Sequence, residues 1–101
     1  MKVLEREISK EWIRDHLRDH PLDYAFRIHD CPWGRKNWDA FLFTPGVCWA
    51  VEFKVDRRKA FQYTLDELPA HQHSELLKFV NGTDRKAKVV IYHPGSKEWH
   101  E

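Results

Sequence analysis

Apolar residues along this chain follow two different periods. Between Leu4 and Arg18 they recur at Leu4, Ile8, Trp12, Ile13 and Leu17, the spacing that lines one stripe of a helix. His20-Pro21 ends the run, because proline brings no backbone donor and its ring blocks a further turn. Tyr24 to Ile28 alternates aromatic with small or charged residues, as a strand does. Asp30-Cys31-Pro32-Trp33-Gly34-Arg35 then reads as a loop. Trp38 to Phe43 and Val47 to Val55 are apolar on both alternating faces, which suits central strands covered by helices. Asp56-Arg57-Arg58-Lys59 breaks the pattern with charge, and Phe61 to Leu65 reads as a short connecting turn or strand. A second helix is predicted over roughly Leu68 to Val80, with Pro69 in its first turn and Asn81-Gly82 as its stop. Val89 to Tyr92 is a short buried strand, after which His93-Pro94-Gly95 turns into a polar tail. The order α-β-β-β-α-β describes one α/β domain over residues 1–101.

Composition changes this picture little. A chain of 101 residues supports one core without disulfides or a structural metal. The net charge of +1 sets up no global basic field, but acids gathered at one site would mask a local basic surface. Two cysteines, Cys31 and Cys48, make no disulfide framework, and Met1-Lys2-Val3-Leu4 leads into charge rather than an apolar signal core. Both features favour a reduced, intracellular (cytoplasmic) protein. No apolar run approaches the roughly 20 residues that span a bilayer.

Chemistry enters at Asp39 and Glu52-Phe53-Lys54, which flank a Thr44-Pro45-Gly46 turn. If Pro45 and Gly46 are the two turn residues, Thr44 faces Val47, Phe43 faces Cys48, and Asp39 faces Glu52. Directly opposed residues have Cβ atoms about 4.5–5.5 Å apart, where two like charges repel unless something positive lies between them. A divalent cation resolves the conflict, and Mg²⁺ favours carboxylates together with retained waters and phosphate oxygens. Lys54 shares the face of Glu52, where its ammonium can orient a water and steady charge on a phosphate. The alternative is that all three are ordinary charges on a solvated strand face, but Phe41 and Ala50 share that face and make it otherwise apolar. At about 100° per residue, Glu5 falls within the arc of Leu4, Ile8 and Trp12, while Glu7 and Glu11 lie towards its edge. Glu5 is therefore the candidate third acid, facing the sheet, unless it frays with the terminus. Gln72 precedes Leu76 by four residues and Phe79 by seven, on the buried side of the second helix. It is a candidate to bond a site carboxylate, a metal-bound water or a phosphate, or simply to satisfy the helix's first turn.

A helix acid, an Asp, Glu-x-Lys on the next strand and a following helix with Gln together resemble the PD-(D/E)XK nuclease superfamily. Within it, His71-Gln72 followed by Leu76 resembles the corresponding helix of the RecU-like Holliday junction resolvases, and the small archaeal resolvases are similar in size. The resemblance runs from Glu5 to about Tyr92. It implies a restriction-endonuclease-like core, a mixed sheet flanked by helices, with Mg²⁺ (or Mn²⁺) dependence, cleavage of branched or junction DNA in recombination and repair, and a homodimer. By motif position it assigns Asp39, Glu52, Lys54 and Gln72 as catalytic, with Asp39, Glu52 and Glu5 as metal ligands. One departure is Asn37-Trp38, which stands before Asp39 where many members have a proline or small residue. A nuclease-like fold serving as a silent nucleic-acid-binding or assembly module is the alternative.

Three basic groups, Arg35-Lys36, Arg57-Arg58-Lys59 and Arg85-Lys86-Lys88, fall in predicted loops or turns. Solvation alone accounts for each. Beside a metal site and near Trp33 and Trp38, Arg35, Lys36, Arg57, Arg58 and Lys59 are candidates to contact phosphates while the indoles stack on bases. The pairs His29/Cys31 and His71/His73 invite zinc, but neither has the spacing of a structural site.

Overall fold

Helix α1 (Glu5–Asp19) precedes strands β1 (Tyr24–Arg27), β2 (Ala40–Thr44) and β3 (Val47–Val55). A single 3₁₀ turn (Leu65–Glu67) and helix α2 (Ala70–Val80) lead on to β4 (Arg85–His93) and β5 (Glu98–His100). The computed structural model describes residues 4–28 and 38–101, so the loop 30–35, with His29, Cys31, Trp33, Arg35 and Lys36, lies outside the described residues. The strands form one mixed sheet in the order β1-β2-β3-β4-β5. Only β3 and β4 pair in parallel, and the other neighbours are antiparallel. A parallel pair cannot be closed by a tight turn, and α2 lies in the connection that brings the chain back.

The two helices serve opposite faces. Ile8 and Trp12, one turn apart on α1, pack with Ala40, Leu42, Val51, Phe53 and Val90. The Trp12 ring meets Phe53 edge-on at 5.6 Å. On the other face Leu76 of α2 packs with Leu68, Ala50, Val89 and Ile91. Strand alternation therefore puts Val51 and Phe53 under α1, and Ala50, Glu52 and Lys54 on the α2 side. Pro45-Gly46 forms the two-residue turn, with Thr44 opposite Val47. Gly46 has φ of 78°, the left-handed value a Pro-Gly turn requires at its second central residue.

Two elements differ from expectation. The polar tail contains β5, which pairs Glu98 with His93 and Trp99 with Tyr92. Its three residues are too few to show a period, and it is held by the Trp99 ring 4.8 Å from Tyr92. Strand β4 begins at Arg85 rather than Val89, so Arg85, Lys86 and Lys88 stand in a strand and not in a loop. Aromatic rings accommodate their charge there: the Lys88 ammonium lies 4.6 Å from the Trp49 ring centre, Lys86 5.6 Å from the same ring, and the Arg85 guanidinium 5.3 Å from Phe79. Such contacts favour cations over ring faces.

The crossover from β3 is stapled at Asp56, whose side chain is buried. It accepts hydrogen bonds from the backbone N–H of Arg58 at 3.2 Å and of Gln62 at 2.8 Å, and from the Arg58 guanidinium Nε at 2.8 Å. The same guanidinium reaches Glu67 at 2.9 Å, and Glu67 also accepts from the Thr64 N–H. The Arg58 hydrogen bond leads in holding the Asp56 carboxyl well below the usual carboxylate range. Arg58, expected among the phosphate-contacting residues, is thus committed to two carboxylates that hold the loop.

Truncating Phe53 to Ala should cost about 3–5 kcal/mol in urea unfolding, since a fully buried ring would be lost from the centre of the sheet. Asp56 has a folded pKa below its ordinary 3.8, so its contribution is present above that value and drains away as the pH falls beneath it. Melting curves from pH 7 to pH 2 should show this acid loss in the wild type, and Asp56→Asn should be less stable at pH 7 with a flatter acid limb.

Candidate functional site

Asp39 sits one residue before β2. Its backbone N–H donates to the Val51 carbonyl at 3.0 Å, and Ile28 donates to its carbonyl at 2.8 Å. The ladder pairs Phe41 with Ala50 and Ala40 with Val51, and Asp39, just before it, brings its side chain within hydrogen-bonding reach of the Glu52 side chain, so the two acids that the turn arithmetic brings together do meet. The Asp39 side chain is fixed from below as well: the Phe53 N–H donates to its Oδ2 at 2.8 Å. The backbone of the Glu-Phe-Lys segment therefore orients the acid across from it.

Glu52 is 2 % exposed, a burial that a carboxylate tolerates only with compensation. Its pKa is pushed up to about 9, first by burial and then by a hydrogen bond to the Asp39 side chain and by the Asp39 charge, while Lys54 pulls the other way. Burial and the neighbouring Asp39 thus favour the protonated form of Glu52. The Lys54 ammonium stands 3.8 Å from Glu52 Oε1. In the sheet, Glu52 lies beside Val89 and Lys54 beside Ile91, so both project from a floor that is otherwise apolar.

The other candidates are placed differently. Glu5 is exposed rather than turned to the sheet, because the first turn of α1 runs past the core that begins at Ile8. Its charge nevertheless raises the Glu52 pKa, so it is close enough to act on the pair. Gln72 is half-buried on α2, and its Oε1 is buried with no hydrogen-bond partner among the described residues. That amide oxygen therefore takes no bond from Lys54, and the structure does not join Gln72 to the acids. Lys59 is exposed and Arg57 is exposed at the start of the crossover. His71 and His73 belong to no metal-binding group, for among the described residues no cluster of three or more His, Cys, Asp or Glu could hold an ion by itself. Sequence reasoning missed Tyr63, whose phenol pKa is raised first by burial and then by the charges of Glu67, Glu52 and Glu5. Lying in an irregular connection, it shows no periodicity that would mark it.

The donor set suits a hard cation. Asp39 and Glu52 offer carboxylate oxygens on one side, Glu5 adds negative charge nearby, and Mg²⁺ keeps several waters and binds through one or two carboxylates. Two protein ligands are thus enough for that ion, whereas zinc would need three or four. No helix among the described residues is long and apolar enough to cross a membrane.

In the ion-free protein the raised Glu52 pKa has a sign opposite to that of Asp56. The folded state holds a proton that the unfolded chain releases near 4.5, so stability is full below that value and falls as the pH climbs towards about 9. Thermal melts without metal should show this decline between those limits, and Glu52→Gln, permanently neutral, should remove it.

No protein-family model matches the chain, and no curated protein does. Among solved structures it is similar to Archaeoglobus fulgidus Hjc, a Holliday junction resolvase from an archaeal hyperthermophile, with a TM-score of 0.59 and 24 % identity over 88 % of this chain and 70 % of that one. The mixed five-stranded sheet and its two helices are thus the fold of that resolvase, and the likeness at this identity is one of fold.

Proposed function

We propose that the protein is a metal-dependent DNA endonuclease acting on branched or junction DNA, within the PD-(D/E)XK superfamily and close to its Holliday junction resolvases. The observation that carries this reading is the buried Glu52 beside the half-buried Asp39, with the Lys54 ammonium 3.8 Å from Glu52. Supporting it is the fold shared with an archaeal Holliday junction resolvase. Glu52 and Asp39, with Glu5 near them, would hold Mg²⁺ or Mn²⁺, which when bound supplies Lewis acidity towards the phosphate and an acidified water. Lys54, most of its length buried, holds positive charge where a phosphate oxygen gains negative charge. Asp39 is kept aimed by the Phe53 N–H, so the site needs little reorganisation.

The homodimer belongs to the same reading. Tyr24, Phe26 and Phe43 are exposed on β1 and β2, and their rings touch one another at 6.0–6.3 Å. They lie on the Asp39 side of the sheet, since Tyr24 pairs with Phe43 and Phe26 with Phe41. A contiguous apolar surface of this kind marks an interface, and a second copy covering it would set two sites on one particle.

The test is cleavage of a synthetic four-way junction beside a linear duplex, with Mg²⁺ or Mn²⁺. The wild type should cut the junction preferentially, and Lys54→Ala should slow cleavage by about a hundredfold or more. Binding by both proteins with cleavage by neither would mean a silent nucleic-acid-binding module instead. Sedimentation should show a dimer for the wild type, and Phe43→Lys should give monomers.

A further inference from the structure

Strand β4 runs from Arg85 to His93, but β5 covers only its last part, Ile91, Tyr92 and His93. From Arg85 to Val90 the outer edge of β4 has no strand beside it among the described residues. A row of backbone N–H and C=O groups is therefore open to pairing on that side. The two faces that flank this edge have opposite chemistry. On the α2 face, Ala87 and Val89 line a cavity of about 880 Å³ whose opposite wall includes Leu65, Leu77 and Val80. Leu65 and Leu77 are 60 % and 54 % exposed there, an apolar surface of the kind that marks a binding groove. On the α1 face stand Lys86 and Lys88, both drawn over the Trp49 ring. Glu101, directly after β5, sets its carboxylate 2.9 Å from the Lys88 ammonium, whereas Lys86 has no carboxylate partner among the described residues. Lysines on a strand edge also keep other strands away, but that role needs neither the exposed leucines nor the cavity on the opposite face.

We propose that the open edge of β4 takes up an extended segment of another protein as an added strand, one whose residues alternate between apolar and acidic. Successive side chains of a strand point to opposite faces. Every second residue of the segment therefore enters the cavity beside Ala87 and Val89, and the residues between them face Lys88 and Lys86. Glu101 already makes the first such contact from the chain itself, so the charge of the row and the charge of the segment are complementary. Backbone hydrogen bonds to the edge supply affinity, and the alternating side chains supply specificity. Strand β4 separates this edge from Glu52, and the aromatic surface on β1 and β2 lies at the other end of the sheet. Strand addition here is thus independent of the endonuclease reading.

Fluorescence polarisation of a labelled peptide of alternating valine and glutamate, titrated with the whole protein and no DNA, tests this. That peptide should bind. A peptide of alternating valine and lysine, or one with its valines and glutamates in two blocks, should bind about tenfold more weakly or not at all. Methylating every second backbone nitrogen of the peptide should abolish binding in one frame and spare it in the other, since only one edge of an added strand bonds to β4. Lys86→Glu and Leu77→Glu, both at exposed positions, should each weaken binding about tenfold. Equal binding of the lysine or block peptide, indifference to both methylation frames, or no binding overturns the proposal. It is also overturned if Leu77→Glu turns dimers into monomers, which would give the edge to a second copy. Loss of duplex DNA binding in Lys86→Glu, with no peptide bound by the wild type, would give the basic row to nucleic acid and overturn it as well.

Discussion

The register between β2 and β3 is the constraint from which the site follows. A two-residue Pro-Gly turn, possible because Gly46 takes a positive φ, pairs Thr44 with Val47 and carries that pairing back to Ala40 and Val51. Side chains alternate faces, so a slip of one residue would turn Asp39 away from Glu52 and put Leu42 where Phe41 stands. Two independent contacts oppose such a slip. Ala40 and Leu42 are locked into the α1 core with Phe53, and the Phe53 N–H grips the Asp39 carboxylate from the neighbouring strand. Core packing and the chemistry of the acids therefore depend on the same choice of register.

Burial of Glu52 is what gives that geometry its character. A carboxyl at the surface would remain ionised beside another acid at modest cost, but one at 2 % exposure cannot. The fold accepts this by favouring the protonated form of Glu52, beside Asp39, and by a lysine that approaches without full contact. The crossover loop meets a different electrostatic problem with a different solution. Asp56 is equally buried and fully ionised, because backbone N–H groups and a guanidinium surround it. Two buried acids four residues apart thus have opposite proton affinities, Asp56 stabilised as a charge and Glu52 favoured in its neutral form.

Much of this was legible in the sequence. Helical spacing found α1 and α2 to within two residues, and the apolar runs found β2 and β3 because both strands carry apolar residues on both faces. The pairing of Asp39 with Glu52 was readable since it needs only the turn and a period of two. What escaped has physical causes. Strand β5 is too short to carry a period, and it forms because β4 and Tyr92 offer an edge and a ring. The basic start of β4 reads as loop until Trp49 and Phe79 are seen beneath its cations. Arg58 reads as a free basic residue, since nothing local shows that Asp56 and Glu67 converge on it. Glu5 falls in the right arc, yet the helix has not reached the core by its first turn.

The raised proton affinity of Glu52 also bears on the charge of the recess it shares with Asp39. Two ionised carboxylates in that recess would repel an approaching phosphate, and in a poorly solvated place such repulsion is large. With Glu52 favouring its neutral form and the Lys54 ammonium alongside, the recess carries less negative charge than two ionised acids would give it. For the nuclease proposed above, that lowers the electrostatic cost of bringing a phosphate to the recess, so the proton affinity of one buried acid bears on encounter as well as on stability.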